Sequence, residues 1–511
     1  MIQNFKISKK WREYIFAGFI LGVFISVFFY DVLFRGHVFV TGGVIKSDLM
    51  CQHYPLKEAY SRSISRGEIP LWLNSLSTGV PLLALGIGGL FYPVNLLFSS
   101  FFKQPLAFNL GLVFHFWLAA FSTFLLVRVI FRTKLWSALL AGLCFGLSGF
   151  LIAHHAHYSL LQTVSFTPLV LFLLFLMVRG ITVPKIGALT AVFTLQILAG
   201  HLEVLYFSLV VILLLAFHFG ISSFHKRGVS AFCPVIGLAV ALGLACLLSA
   251  FQILPGLEMV PFSNRSTGYS LQAASDFRFP VRHLLLFLFP NRADFFAPVN
   301  YIEGWGMNNY WETYAYLGLL PLALSLLGVW ALFSKEKYKG YRFPVLFLLI
   351  FSLAFAFGKS LPLFELFWRV MPFMKLFRYP TRVLVFVSLS LAILAALGSD
   401  LLSEGTSKLI QNLSPLSREI KRAAILVSIF LVSFFDLYVN NHYPLQTAKA
   451  DWWLAKPPLV QRLEKINSKH HRIITFGTSF YNNRLSTDLE VQKRLQNLLP
   501  RAFNLIYEVD S

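Results

Sequence analysis

Apolar residues in this chain come in long unbroken runs separated by short polar turns. The runs Tyr14–Phe34, Pro105–Phe131 and Leu160–Val178 are each as long as the roughly 20-residue helix that spans a hydrocarbon core. Further runs at 135–153, 184–200, 203–222, 231–251, 313–333, 343–358, 382–400 and 423–439 repeat the pattern. The reading is an all-α polytopic transmembrane bundle of about 11 helices. Residues 1–439 form the membrane domain, and 440–511 form a short external segment with α/β character. Within that segment Asn440–Asp451 reads as a linker, and the alternation over Arg472–Gly477 predicts a strand.

Two segments break the regularity. After the first helix, residues 34–105 form a first external loop in which 47–66 predicts a helix lying along the membrane surface. The apolar stretch Leu82–Phe102 is interrupted by Gly86, Gly88, Gly89 and Pro93 and predicts a re-entrant or interfacial element. Residues 252–312 form a second long external loop.

Composition agrees with the pattern. Of 511 residues 57% are hydrophobic and 13% charged, so water is not the main solvent. The formal charge of +21 would point to a polyanion in a soluble protein. Here the cations sit in clusters between spans: Lys6/Lys9/Lys10/Arg12, Arg128/Arg132/Lys134, Arg179/Lys185, Lys226/Arg227, Lys335/Lys337/Lys339/Arg342 and Lys408/Arg418/Lys421/Arg422. The positive-inside rule accounts for them, so no nucleic acid is called for. The expected location is the cell membrane, multi-pass, with the N-terminus cytoplasmic and the C-terminus extracytoplasmic. The four cysteines offer neither a disulfide framework nor a paired-cysteine metal site.

With sides assigned, the residues able to do chemistry fall on the external face. They are Asp48, Gln52, His53 and Glu58 in the first loop; His154, His155 and His157; His201 and Glu203; Arg265, Asp276, Arg278, Arg282, Arg292, Asp294, Glu303 and Glu312 in the second long loop; and Lys375, Arg378 and Arg382. Polar helix ends converging on one interface suggest a shared cleft. Asp48 is the candidate general base, the alternative being a helix cap. His201 and Glu203 suit a substrate contact or a polar hairpin tip. The His154–His157 cluster suits metal binding or helix ends, and its spacing matches no standard zinc motif. Lys375, Arg378 and Arg382 stand where positive charge is disfavoured, which fits binding of a lipid phosphate or contact with anionic headgroups.

A set of motifs resembles the bacterial YfhO-type membrane proteins. It comprises Ser47-Asp48-Leu-Met-Cys-Gln52-His53-Tyr54-Pro55, Gly67-Glu-Ile-Pro70-Leu-Trp72, Gly79-Val-Pro81 and Phe91-Tyr92-Pro93-Val-Asn95. Gly200-His201, Tyr316-Leu-Gly318-Leu-Leu-Pro321 and Phe377-Arg378-Tyr-Pro380-Thr-Arg382 follow in the same order. That family is similar to the GT-C class of glycosyltransferases. The resemblance implies transfer of a sugar from a polyprenyl-phosphate carrier to a cell-envelope glycan or lipid acceptor on the external side, with membrane lipids as further partners. It also implies Asp48 as catalytic base, Arg378 and Arg382 on the carrier phosphate, and His53, His201 and Glu203 on substrate. No cofactor and no metal ligand are assigned, and a divalent cation is left open. Leu85–Gly88, Leu202-Glu203 and Leu73-Asn74 depart from the family pattern, and family members continue beyond Ser511, so the external segment is read as incomplete. A lipid-linked sugar flippase and a non-catalytic envelope assembly protein are the alternatives.

Overall fold

In a computed structural model the chain folds as a bundle of helices whose axes follow the apolar runs. The structure describes residues 9–41, 48–74, 76, 79–263, 265–290, 310–409, 414–442 and 444–465. Ser47, Arg292, Asp294, Glu303 and the strand predicted at Arg472–Gly477 lie outside these.

Each of the predicted runs contains a helix, although the run 313–333 becomes helical only at Leu319, after a non-helical stretch at 314–318. Among the described residues eight segments are long and apolar enough to cross a membrane. The segment 202–248 contains two helices, Leu202–Arg227 and Cys233–Leu248, joined by a 3-10 turn. Two further apolar helices, Val183–Leu198 and Leu319–Ser334, have 16 residues each. The chain is therefore a multi-pass membrane protein.

The centre of the bundle is Leu384–Leu409, which is buried over most of its length, whereas Lys9–Phe28 and Pro415–His442 present apolar side chains outward. The partner of the central helix is Leu319–Ser334, and small residues set how closely they approach. A Cβ on Gly328 would lie 1.9 Å from the Leu394 carbonyl oxygen, and one on Gly398 would lie 1.9 Å from that of Leu324. Dispersion contact between backbones replaces the hydrophobic drive that lipid cannot supply.

One end of this helix gathers the basic clusters. Asp400 accepts from Lys134 N at 3.2 Å and from Ser137 Oγ at 2.5 Å, and Lys335 Nζ donates to Glu404 at 2.6 Å. Arg179 donates to Ile130 O at 3.0 Å, Arg227 to Val178 O at 3.1 Å and Arg342 to Leu332 O at 3.0 Å. Several of these arginines thus satisfy carbonyls left open at helix C-termini, a task additional to setting topology. Arg382 stands at the other end, 18 residues and roughly 27 Å away along the helix.

The stretch Leu82–Phe102 does not span. It forms two short helices, Leu82–Leu85 and Pro93–Phe101, on either side of a glycine turn. Gly86 and Gly200 meet there: Gly200 has a φ of +88°, and a Cβ on it would lie 2.0 Å from Gly86 O. The surface helix predicted at 47–66 is seen as a π turn, Leu49–His53, continuing into Tyr54–Ser65.

Described residues of the predicted linker form regular structure. The last long helix runs to His442, and Thr447–Lys449 forms a strand antiparallel to His37–Phe39. Thr41 Oγ1 accepts from Gln446 N at 3.0 Å and lies 2.8 Å from His155 Nε2, so the chain after the last span docks beside the first loop.

Candidate functional site

Side chains from six separate parts of the sequence meet at the end of the bundle opposite the basic clusters. At their centre is Arg382, in the short 3-10 turn Pro380–Val383 that begins the central helix. Its Nη1 donates to Glu203 Oε1 at 2.6 Å and its Nη2 to Glu312 Oε1 at 3.4 Å. All three are almost fully buried, with side-chain exposures of 7, 3 and 2%. Glu312 is further held by Thr381 Oγ1 at 3.2 Å and stands 3.5 Å from His154 Nε2. Arg265 Nη1 lies 3.5 Å from Glu203 Oε2 on the more open side.

His201 precedes the helix Leu202–Arg227 and caps it. Its Nδ1 accepts from Val204 N at 3.4 Å, while its Nε2 stands 3.4 Å from Arg382 Nη1. Burial, reinforced by the positive charge of Arg382, keeps its pKa well below the usual histidine range. For Glu312 burial alone would raise the pKa, but Arg382 and the neighbouring histidines outweigh it and hold the group ionised.

The network reaches Asp48 through the histidine cluster. The ring of His154 is 5.5 Å from that of His157, and His157 Nε2 is 3.9 Å from Asp48 Oδ2. Asp48 is the exposed member, with 60% of its side chain accessible. Its backbone is already helical and its side chain makes no capping hydrogen bond, so the geometry does not match a helix cap.

The remaining cations are held differently. Arg378 lies against the rings of Tyr379, Tyr269 and Phe277, at 4.6, 5.5 and 5.8 Å from their centres, and Lys375 Nζ is 4.9 Å from the centre of Trp368. Among the described residues neither has a carboxylate at ion-pair distance. Tyr379, between the two arginines, has a φ of +64°, a conformation costly for a tyrosine that persists only where its surroundings enforce it. It is packed on Phe277 and Arg382, with ring contacts at 4.4 and 4.3 Å.

His53 and Lys57, one helical turn apart, point into the protein behind Asp48. Burial, aided by the Lys57 charge, lowers the His53 pKa to about 3. Burial lowers that of Lys57 to about 7. The Lys57 ammonium donates to Gly88 O at 2.5 Å and lies 5.3 Å from the centre of the Tyr158 ring, which ties the surface helix to the glycine turn.

Of the residues singled out in the sequence, the structure brings together Asp48, His201, Glu203 and Arg382, with Arg378 alongside. Glu312, His154, His157 and Arg265 were visible as external polar residues, yet nothing in their spacing indicated that they would form the centre. Lys57 carried no signal, because a lysine on an amphipathic helix normally faces water. Among the described residues no three His, Cys, Asp or Glu side chains are grouped to hold a metal ion.

The fold is similar to that of the arabinofuranosyltransferase AftD from Mycobacteria, with a TM-score of 0.53, 12% identity and coverage of 90% of this chain and 29% of that one. The oligosaccharyltransferase AglB from Archaeoglobus fulgidus, solved with an inhibitory peptide and a dolichol-phosphate, aligns with a TM-score of 0.47, 13% identity and coverage of 89% and 59%. The chain thus spans less than a third of the AftD chain's length. No family model matches the sequence, and no curated protein matches it.

Proposed function

We propose that this protein is a membrane glycosyltransferase that moves a sugar from a polyprenyl-phosphate carrier to a cell-envelope polymer or lipid on the extracytoplasmic side, with the apolar helices among its described residues crossing the bilayer. The observation that carries the reading is one exposed carboxylate, Asp48, at the same end of the bundle as the buried Arg382 cluster and two cations without carboxylate partners among the described residues, Arg378 and Lys375. The resemblance of the first loop to the YfhO type and the fold shared with a known arabinofuranosyltransferase support it. Fold alone would not be enough.

In the proposed reaction Asp48 takes the proton of an acceptor hydroxyl, the acceptor oxygen bonds to the anomeric carbon, and the carbon–oxygen bond to the carrier phosphate breaks. The electron pair leaves with the phosphate, so the leaving group needs stabilising cations and no strong acid. Arg378 and Lys375 suit that task because their charge is not already spent. Arg382 fits a supporting role: with Glu203 and Glu312 bound to it, it fixes the turn that presents Arg378 and Tyr379. His201 and Glu203 border the substrate side, and His53 backs Asp48 from the interior.

Reconstitution in vesicles separates this reading from transport. With radiolabelled undecaprenyl-phosphate sugars as donors and a membrane extract as acceptor, a transferase consumes donor from the outer leaflet and releases carrier phosphate. Movement of intact labelled lipid between leaflets without consumption would assign the flippase function instead.

A further inference from the structure

We infer that Tyr379 is the positioning residue of the phosphate site, its ring being the platform that holds the Arg378 guanidinium in place, a role that rests on Arg378 binding the carrier phosphate as proposed above.

A guanidinium on a flexible stem binds well only if it is already held, because the freedom lost on binding is subtracted from the affinity. Arg382 is held by two carboxylates, whereas Arg378 is held by rings. Its Nε is buried with no hydrogen-bond partner among the described residues, and Tyr379 is nearer to it, at 4.6 Å from ring centre to Cζ, than Tyr269 or Phe277 at 5.5 and 5.8 Å. Among the described residues Tyr379 is also the one ring that both guanidiniums lie over, with Arg382 Cζ 4.3 Å from its centre. The position of Arg378 is thereby tied to Arg382, which is itself fixed by Glu203 at 2.6 Å and Glu312 at 3.4 Å.

The platform is fixed in its turn. Tyr379 has φ +64° and ψ +68°, and its carbonyl accepts from Arg382 N at 3.1 Å, so the chain reverses between the two arginines. Its ring packs at 4.4 Å from that of Phe277, whose carbonyl accepts from Thr381 Oγ1 at 3.1 Å. An extended backbone at this position would part Arg378 from the ring, which gives the costly conformation a use. The choice of a ring also suits phosphate. Aromatic contact attracts a guanidinium without neutralising it, whereas a carboxylate would compete with phosphate for the same N–H groups.

The test uses the full chain purified in detergent, with undecaprenyl phosphate and the uncharged undecaprenol as probes, and reads the ratio of their affinities. Tyr379→Phe keeps the ring. Tyr379→Asn removes it with a residue that tolerates the left-handed backbone, and Tyr379→Leu removes it while filling the space against Phe277. The expected result is that the preference for the phosphate falls about 10-fold in Tyr379→Asn and Tyr379→Leu, with undecaprenol affinity unchanged, and stays within about threefold of wild type in Tyr379→Phe. In an Arg378→Gln background the same changes should move the ratio by less than about twofold, because the ring then has no arginine to place. A wild-type ratio in either variant without the ring overturns the inference. Equal weakening of both probes in the two variants overturns it too, since the ring then serves the fold and not the arginine. Arg378→Gln alone reports on the underlying reading: a wild-type ratio there removes Arg378 from the phosphate site. Loss of the ratio in Arg378→Gln with a wild-type ratio in the Tyr379 variants leaves the phosphate site standing and sinks only the platform.

Discussion

Arg382 and Glu203 share a 2.6 Å ion pair with both side chains buried, and Glu312 takes the other guanidinium nitrogen at 3.4 Å. A pair placed this deep is expensive to break from one side, because the remaining charges are stranded away from water. Arg382→Gln is expected to destabilise the protein by about 3–5 kcal/mol, seen as a lower thermal midpoint and folded yield in detergent. The triple change with Glu203→Gln and Glu312→Gln should recover much of the loss. A stable Arg382→Gln protein would mean that the three groups are not coupled.

Arg378 and Lys375 rest on aromatic rings rather than on carboxylates. If they bind the carrier phosphate, Arg378→Gln should leave the thermal midpoint within a degree or two of wild type and reduce donor use by about 10- to 100-fold, a charge-assisted contact being worth roughly 1.5–3 kcal/mol. Lys375→Gln should follow more weakly. Titrating donor in vesicles checks this, and unchanged donor affinity in both variants would remove them from the phosphate site.

Lys57 is buried with its pKa lowered to about 7. Between that value and the usual 10.5 the unfolded chain holds a proton that the folded chain lacks, so stability rises with pH across this window, by up to about 1.4 kcal/mol per unit. Below about pH 7 the full penalty is present. Thermal midpoints measured from pH 6.5 to 9.5 should climb in the wild type and lose most of that slope in Lys57→Met, whose lost bond to Gly88 O lowers stability at the alkaline end.

The crossing of the two central helices depends on Gly398. Gly398→Ala puts a methyl 1.9 Å from Leu324 O and should sharply lower the folded yield, whereas Gly405→Ala on the same helix meets nothing within 4 Å and should be neutral or stabilising by up to about 1 kcal/mol. Size-exclusion profiles and thermal midpoints of the two variants make the comparison.

The helices were legible because a bilayer demands long apolar runs, and each predicted run contains a helix. The break at Gly86–Pro93 was legible for the same reason in reverse. The site was legible only in its members. Asp48, His201, Glu203, Arg378 and Arg382 stand out as polar groups at helix ends on one side, but spacing along the chain does not report which ends touch, and so the pairing of Arg382 with Glu203 and Glu312 was hidden. Contacts across 179 and 70 residues are set by bundle packing. Lys57 was hidden for another reason: its burial is caused by the glycine turn 31 residues later folding over it. The order in Thr447–Lys449 depends likewise on a partner strand 410 residues away, which a local polar composition cannot announce.

The central claim is that Asp48 performs the proton transfer, and the most direct measurement is the envelope glycan profile of cells carrying wild type, a deletion or Asp48→Asn, with protein level checked by immunoblot. Loss of the same sugar in the deletion and in Asp48→Asn, at normal expression, is the result predicted here, and the missing sugar then identifies the donor. Loss in the deletion with a full profile in Asp48→Asn would contradict the account and bring transport or assembly forward.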